Sequence, residues 1–571
     1  MNKESKELMI CVQSQRRAAF NRNARYLVFP LFICLCLCSC RDKEEKIIQR
    51  PHWYLHVFKF QAVPSGAVIW NVADNMNFWD YSTWRSSMGG VPEDYFRTTM
   101  PYVKYVQLMT TAGGNAQRDL FVNPNNRTVK DDYNFSPLIG ACRNILRQGL
   151  IPHLKLGNVP LKYSTNPDIG GFEVNRRPPD DYNLWHSYIK AMIQSLVNEF
   201  GLETVRTWRF GSVTEYENKD WFFYETPAQT RDAFFALYDY TVDALEQVLG
   251  KDVCVGAHSM TVTEGLWDER DFIAHCAHGT NFCTGAPGTR LSYLAASHYY
   301  ARPGVLGMGD NTLSGTIAML RDAAVKEGLN DLFYGFDEGR ILRGSDNKEL
   351  YPRAVGYTQQ AAFDARMYHT MLDENIDYFS HWAYTANYTL PGALSVSAHT
   401  SDLFYRMAGA VRLPGTYETG NPENEVGGIA ALNQEQNKLY VLFYAYSDVV
   451  TQSGEVEISC EITGLEKKSG KLTATLTLIS DDTNYFDEYL ADRVEAGVTP
   501  SDFGWSGESF TITSQELKPA HLKIFQDRMS FYEECSELKP VSEFLDVRNG
   551  VLNISVTIPV HGVLLYEIAL E

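Results

Sequence analysis

At 571 residues the chain exceeds what one ordinary hydrophobic core fills, so at least two domains are expected. A hydrophobic share of 44% beside 21% charged residues is that of a folded globular protein and excludes extensive disorder. The net charge of -19 excludes nucleic acid and anionic membrane surfaces as electrostatic partners, because it would be repelled by both.

Residues 1–40 read as a targeting segment. Arg16, Arg17, Arg22 and Arg25 form a basic region, and Tyr26 to Leu37 is an apolar run of about a dozen residues, too short to span a hydrocarbon core of ~30 Å. The run ends Leu37-Cys38-Ser39-Cys40, which resembles the lipobox of bacterial lipoproteins. That resemblance implies cleavage before Cys40, a lipid anchor on Cys40, and residence in the cell envelope, facing the periplasm or the surface. Residues 41–60, opening Arg41-Asp42-Lys43-Glu44-Glu45-Lys46, are expected to be a solvated tether.

Across 61–414 apolar, β-rich runs alternate with helix-period stretches. Strands are predicted at 67–71, 103–109, 151–157, 205–213, 253–257, 294–299, 332–336 and 376–382. Helices carrying apolar residues at i, i+3 and i+4 are predicted at 136–148, 182–200, 228–249, 312–326 and 353–373. Asp132 and Ser136 are placed to cap one helix and Asp181 another. The alternation predicts a (β/α)8 barrel; a doubly wound open sheet is the competing arrangement. No GxGxxG follows a strand and no Walker-type loop is present, so nucleotide chemistry has no support. From 415 to 571 short alternating strands separated by Gly, Asn and Asp turns predict a β-sandwich. The cysteines beyond the N-terminal segment show no CxxC spacing, so neither a metal nor another cofactor is indicated. Cys276 and Cys283 are close enough to bridge or stand as buried thiols.

Catalytic groups of such barrels sit at the C-terminal ends of strands. The stretch Thr207-Trp208-Arg209-Phe210-Gly211-Ser212-Val213-Thr214-Glu215 is an aromatic, β-rich run that stops at a carboxylate. Leu332-Phe333-Tyr334-Gly335-Phe336-Asp337-Glu338 is a second such ending about 120 residues later. Paired carboxylates are what cleavage of a glycosidic bond needs: one acid for the leaving oxygen, and one nucleophile or base. Thirty-three Tyr and 10 Trp suit stacking on sugar faces, as they also suit a large core.

Several segments resemble the family 39 glycoside hydrolases, which include β-xylosidases and α-L-iduronidases. Val205-Arg206-Thr207-Trp208, leading to Glu215, is similar to the strand that carries the family's acid/base. Tyr133-Asn134-Phe135, Gly149-Leu150-Ile151-Pro152, Leu156-Gly157-Asn158-Val159-Pro160, Phe272-Ile273-Ala274-His275, Ala296-Ser297-His298-Tyr299 and His381-Trp382-Ala383-Tyr384 follow in the family's order. The resemblance spans about 95–410. It implies a retaining hydrolase that removes a terminal sugar from an oligo- or polysaccharide, with Glu215 as acid/base and Glu338 as nucleophile. It further implies His298 beside the nucleophile or sugar, and Trp382 as the platform under the terminal sugar. The family's Asn before the acid/base, which holds the sugar 2-hydroxyl, is Thr214 here, so the resemblance implies Thr214 as a sugar contact, and its Pro is Tyr216; Lys155 stands where a Glu is usual and, if buried, needs a partner. Asp337 is expected to point away from Glu338 by strand alternation, and Glu217 to lie on the rim. A glycan-binding surface lipoprotein without catalysis, and an inverting enzyme on the same barrel, are the alternatives.

Overall fold

The computed structural model describes residues 55–571 except 89–90, 116, 171, 261–264, 301–312, 342–355, 382–392, 420–424, 451, 498–522, 524–525 and 571. The expected targeting segment with Cys40, and the expected platform Trp382, lie outside the described residues.

Strand β1 (Leu55–Gln61) alternates buried His56, Phe58 and Phe60 with more exposed neighbours. It is followed by β2 (Asn75–Phe78), β3 (Tyr105–Leu108), β4 (Ile151–Lys155), β5 (Arg209–Gly211), β6 (Cys254–Ser259), β7 (Tyr293–Tyr300), β8 (Phe333–Ile341) and β9 (Tyr378–His381). Strands β2 to β9 form a closed barrel of eight in chain order. Every neighbouring pair is parallel, and β9 closes onto β2. The fold is therefore the expected (β/α)8 barrel, and an open doubly wound sheet is ruled out by the closure.

The predicted first strand, 67–71, is not a barrel strand. Val68 makes only an isolated bridge to Val411, while Ile69, Val72 and Ala73 pack into the core ahead of β2. The actual first strand presents Asn75 and Asn77 to a polar barrel interior, so apolar content points to the wrong run. Likewise Val205 and Arg206 close a helical turn, Leu202–Arg206, and the extended backbone begins only at Arg209. Most helices match expectation: Tyr182–Phe200 is capped by Asp181, whose carboxylate accepts from the Asn183 N–H. Helix Ser136–Arg147 has Phe135 at its N-cap without a side-chain cap; Asp132 instead pairs with Lys162 at 2.5 Å.

Alternation divides each strand between the helical layer and the barrel's inside. Leu294 and Ala296 join the helix-facing core, whereas Tyr293 and Ala295 belong to a separate interior cluster with Tyr378. At the lower end the Arg209 guanidinium lies 3.7 Å from the Tyr105 ring centroid and 4.8 Å from that of Tyr378. One level up, His153 Nε2 meets the Tyr293 hydroxyl at 2.8 Å. Above that, Lys155 Nζ stands 3.1 Å from Asp337 Oδ2, with both side chains fully buried. The Tyr378 hydroxyl donates to Asp337 Oδ1 at 2.6 Å, and the Asn77 and Gln107 amides donate to the Asp337 carbonyl. Burial pushes the Asp337 carboxyl up, but Lys155, His153 and His258 outweigh it and hold the group below the usual carboxylate range.

The expectation that Asp337 points away from Glu338 fails because of a bulge. Ala296 pairs with Phe336 but Ser297 pairs with Glu338, so Asp337 is the extra residue and both carboxylates face inward.

Beyond the barrel come β10 (Val411–Arg412), β11 (Gly415–Glu418), β12 (Glu425–Leu432), β13 (Lys438–Tyr446), β14 (Glu455–Thr463), β15 (Ser469–Ile479), β16 (Val541–Arg548), β17 (Val551–Pro559) and β18 (Val563–Ala569). They form one ten-stranded sheet in the order β10-β12-β13-β18-β15-β16-β17-β14-β1-β11. β16 pairs along its length with β15 but meets β17 only at Val547 and Arg548, so the sheet curls there and folds back. Phe58 of β1 consequently packs on Phe443 of β13, ring centroids 5.3 Å apart, across a sandwich core.

This corrects the expected boundaries. Residues 55–60 are not tether: β1 lies between β14, to which it is parallel, and β11. β10, inside the expected barrel segment, also joins this sheet. Helix Gln359–Glu374 packs on β13, with Arg366 2.8 Å from Glu425 and over the Tyr446 ring.

Breaking the buried ion pair by Lys155→Met should cost ~3–5 kcal/mol, because it strands the Asp337 charge. The double variant Lys155→Met/Asp337→Leu should recover most of that loss in urea unfolding; a double variant no more stable than the single one would show that the pair is not coupled.

Candidate active site

Glu215 follows β5 on a short loop and takes φ 45, a left-handed conformation uncommon for a non-glycine residue. Two anchors fix the loop. The Tyr216 N–H donates to the His258 carbonyl at 3.0 Å, and the Asn218 N–H to the Glu215 carbonyl at 2.8 Å. The Tyr216 ring is buried against Phe234, Phe272 and Trp267, with centroids 4.9, 5.0 and 5.4 Å away. The residue that replaces the family's Pro is thus a packing anchor that turns the Glu215 side chain toward the barrel mouth.

The Glu215 carboxylate is held from several sides. Ser297 Oγ donates to Oε1 at 2.5 Å and Asn218 Nδ2 to Oε2 at 2.6 Å, and the Trp221 indole adds a further bond. Burial raises its pKa above the ordinary glutamate value; these hydrogen bonds and the Lys155 charge oppose the rise without cancelling it. A buried carboxyl with an elevated pKa retains a proton for donation. Trp221 stacks on Phe172 at 4.7 Å and meets Trp79 at 5.3 Å, so an aromatic wall flanks the acid.

Below Ser297 the donors have one consistent direction. Lysine only donates, so Lys155 Nζ gives a hydrogen to His258 Nδ1. That places the imidazole proton on Nε2, which lies 2.8 Å from Ser297 Oγ, and leaves the serine hydrogen for Glu215. The predicted partner for Lys155 is therefore Asp337, and the pair polarises a chain through His258 and Ser297 to the acid.

Glu338 is buried at the top of β8, and the Tyr299 hydroxyl donates to its Oε1. One carboxylate oxygen each from Glu215 and Glu338, with a ring nitrogen of His258, lie within 4.8 Å of one another. Two carboxylates and a histidine are a plausible metal donor set, but both His258 nitrogens are already engaged, one of them against an ammonium. The group fits acid–base chemistry better than metal ligation.

Of the expected sugar contacts, Thr214 is fully buried beside Glu215, and its hydroxyl has no hydrogen-bond partner among the described residues. His298 does not lie against Glu338. Ser297 and Tyr299 face inward, so alternation sends His298 to the other side of β7, where it meets Phe336 at 5.5 Å. Burial and Arg366 lower its pKa to about 3. The contact with Glu338 foreseen for His298 is made by its neighbour Tyr299, in keeping with the two-residue period of the strand. His258 and Asn218 carry no sequence signal of their own, and Ser297 is marked only by its place in the family-like segment Ala296-Ser297-His298-Tyr299. Glu217 is not a rim residue: it is buried, accepts from Ser259 Oγ at 2.5 Å and the Met260 N–H at 2.7 Å, and burial raises its pKa to about 8. Cys276 and Cys283 are both free thiols.

Residues 111–386 match the model described as Glycosyl hydrolases family 39. The chain is 24% identical over 168 residues to the alpha-L-iduronidase of Mus musculus, covering 28% of this chain and 24% of that protein. It is 27% identical over 156 residues to the beta-xylosidase of Geobacillus stearothermophilus, covering 26% and 29%. The alignments thus span about a quarter of the length of these curated relatives. Among solved structures, the GH39 enzyme from Xanthomonas axonopodis pv. citri superposes with a TM-score of 0.62 at 13% identity, over 90% of this chain and 97% of that one. At that identity the likeness is one of fold, and it extends over barrel and sandwich together. Residues 111–386, just under half of the chain, are a glycosyl hydrolases family 39 domain.

Proposed function

We propose that this chain is a retaining glycoside hydrolase that removes a non-reducing terminal sugar, β-xylosidase-like in its action, from a plant or host glycan. The observation that carries the reading is the approach of the Glu215 and Glu338 carboxylate oxygens to within 4.8 Å. Retaining enzymes hold their carboxyl groups roughly 5–5.5 Å apart, whereas inverting ones need roughly 6.5–9.5 Å to admit a water. A pure glycan binder would gain nothing from two buried carboxylates that repel each other. The names of the relatives, an alpha-L-iduronidase and a beta-xylosidase, support exo action.

Glu215 protonates the glycosidic oxygen while Glu338, positioned by Tyr299, attacks the anomeric carbon. The resulting glycosyl-enzyme is hydrolysed by a water that Glu215, now ionised, deprotonates. The Trp79–Trp221–Phe172 wall beside the acid borders the leaving group. The Thr214 hydroxyl, buried without a partner among the described residues, is assigned on this reading to a hydroxyl of the sugar being released.

Screening aryl glycosides of xylose, arabinose, glucose, galactose and uronic acids identifies the substrate. On it, Glu338→Ala should lose nearly all turnover, because the covalent step has no nucleophile. Azide should rescue that variant as a glycosyl azide of inverted configuration. Activity that survives both Glu215→Gln and Glu338→Gln would sink the assignment.

The pH profile tests the acid separately. Because the pKa of Glu215 is raised, the basic limb of kcat/KM should lie above the ordinary glutamate value of about 4.3. Ser297→Ala removes a donor that favours the ionised form, so the limb should move to higher pH. A shift to lower pH would contradict the assigned donor direction.

The envelope location also belongs to this reading, on the lipobox-like sequence ending at Cys40. Cys40→Ala should abolish incorporation of labelled fatty acid and release the protein from the membrane fraction. Unchanged labelling would place the anchor elsewhere.

A further inference from the structure

Helix Tyr182–Phe200 and helix Pro227–Leu249 pack side by side in the layer outside the barrel, and the turn that follows helix Glu269–His278 reaches back to them. These three segments bring together His186, Asp243 and Cys283, none of which the catalytic reading uses. One ligand atom from each lies within 4.8 Å of the others. His186 Nε2 is 2.8 Å from Asp243 Oδ2, and the two side chains are 16% and 19% exposed, so the cluster is reachable from solvent without being loose.

The thiol is held in place by its turn. Asn281 Oδ1 accepts from the Cys283 and Thr284 N–H groups at 2.9 and 2.8 Å, and the Phe282 N–H donates to Asp239 Oδ2 at 2.7 Å. Asp239 and Asp243 sit four residues apart on one helix, hence on one face. The first fixes the turn to the helix and the second receives the thiol that the turn delivers. A further layer orients Asp243: Gln247 Nε2 donates to Oδ2 at 2.7 Å, and Lys190 Nζ donates to Gln247 Oε1 at 2.7 Å.

We propose that His186 Nε2, an Asp243 carboxylate oxygen and Cys283 Sγ form a site for one divalent transition-metal ion of the zinc type, with water in the fourth position. A set of one sulfur, one nitrogen and one oxygen is unsuited to magnesium or calcium, which take oxygen ligands, and suits tetrahedral zinc. Bond lengths of about 2.0–2.3 Å put tetrahedral ligand atoms about 3.3–3.7 Å apart, a contraction within reach of side-chain rotation. Without an ion, burial and the neighbouring Asp243 push the Cys283 thiol up to about 11, so it stays protonated. An entering cation reverses that balance: the metal–sulfur bond forms as the thiol proton leaves to solvent, and the imidazole carries its own proton on Nδ1. The bound ion would tie two barrel helices to the turn after a third, so its effect is on stability rather than on the reaction.

The test uses the whole mature chain, freed of metal with a chelator and titrated with Co2+ alone. One Co2+ per chain should bind, with tetrahedral visible bands, a thiolate-to-cobalt charge-transfer band in the near ultraviolet, release of one proton and a rise in Tm. Cys283→Ser should lose the charge-transfer band, and His186→Ala should bind at least about tenfold more weakly. Both variants should keep the circular dichroism of the parent without metal, and Cys535→Ser should keep the band. Absence of the band in the parent, or its persistence in Cys283→Ser, would overturn the site.

Discussion

The interaction on which the carboxylate-bearing end of the barrel depends is the ion pair between Lys155 and Asp337. Neither side chain is exposed, so each charge persists only because the other is there. Two isolated charges at that depth would be neutralised by proton transfer, and the polar column around them would lose its direction. With both ionised, the lysine polarises His258, the histidine fixes Ser297, and the serine leans on Glu215. The same aspartate draws in Tyr378 by its carboxylate and Asn77 and Gln107 by its carbonyl, so strands β2, β3, β8 and β9 meet at one residue. The barrel holds a hydrogen-bonded column where many barrels hold layers of branched aliphatic side chains.

Glu215 stands at the upper end of that column in a backbone conformation that costs energy. Its surroundings over-determine the conformation. Tyr216 is locked among three aromatic rings, Asn218 closes the turn onto the Glu215 carbonyl, and the next acid, Glu217, is buried against Ser259 and Met260. A family-type Pro after the acid would restrict the backbone directly, whereas Tyr216 restricts it by packing. The departures from the family's sequence around Glu215 are thus paired with structure that does comparable positioning by other means.

How much of this could be read from the sequence depended on the range of the interactions involved. Glu215 and Glu338 were visible because each ends an apolar strand, a feature of only a few adjacent residues. Asp181 was visible as a cap for the same reason. Asp337 was misplaced because a one-residue bulge reverses alternation, and nothing in Phe336-Asp337-Glu338 announces the bulge. The family resemblance points to His298, whereas the strand's two-residue period puts Tyr299 on the side of Glu338. The run 67–71 reads as a strand and Asn75–Phe78 does not, because a polar barrel interior inverts the usual hydrophobic signal. The cluster of His186, Asp243 and Cys283 could not be seen at all, since its members are dozens of residues apart and meet only when helices pack.

Strand β1 shows the largest separation of all. It is the first strand among the described residues, yet its hydrogen-bonding partners are β14 and β11, and the whole barrel lies between them in the chain. The sandwich is therefore a discontinuous body, closed by a segment that leaves the ribosome roughly 350–400 residues before the strands it joins. Until then the row of amides and carbonyls on β1 has no ladder to enter, and Phe58 and Phe60 have no core. During synthesis the barrel can complete itself with its neighbours in chain order, but the sandwich must wait for the end of the chain to return to its beginning. Strands on either side of the barrel in the chain thus meet in one sheet, and a break near Leu55–Gln61 or near Val563–Ala569 would be felt by that same sheet.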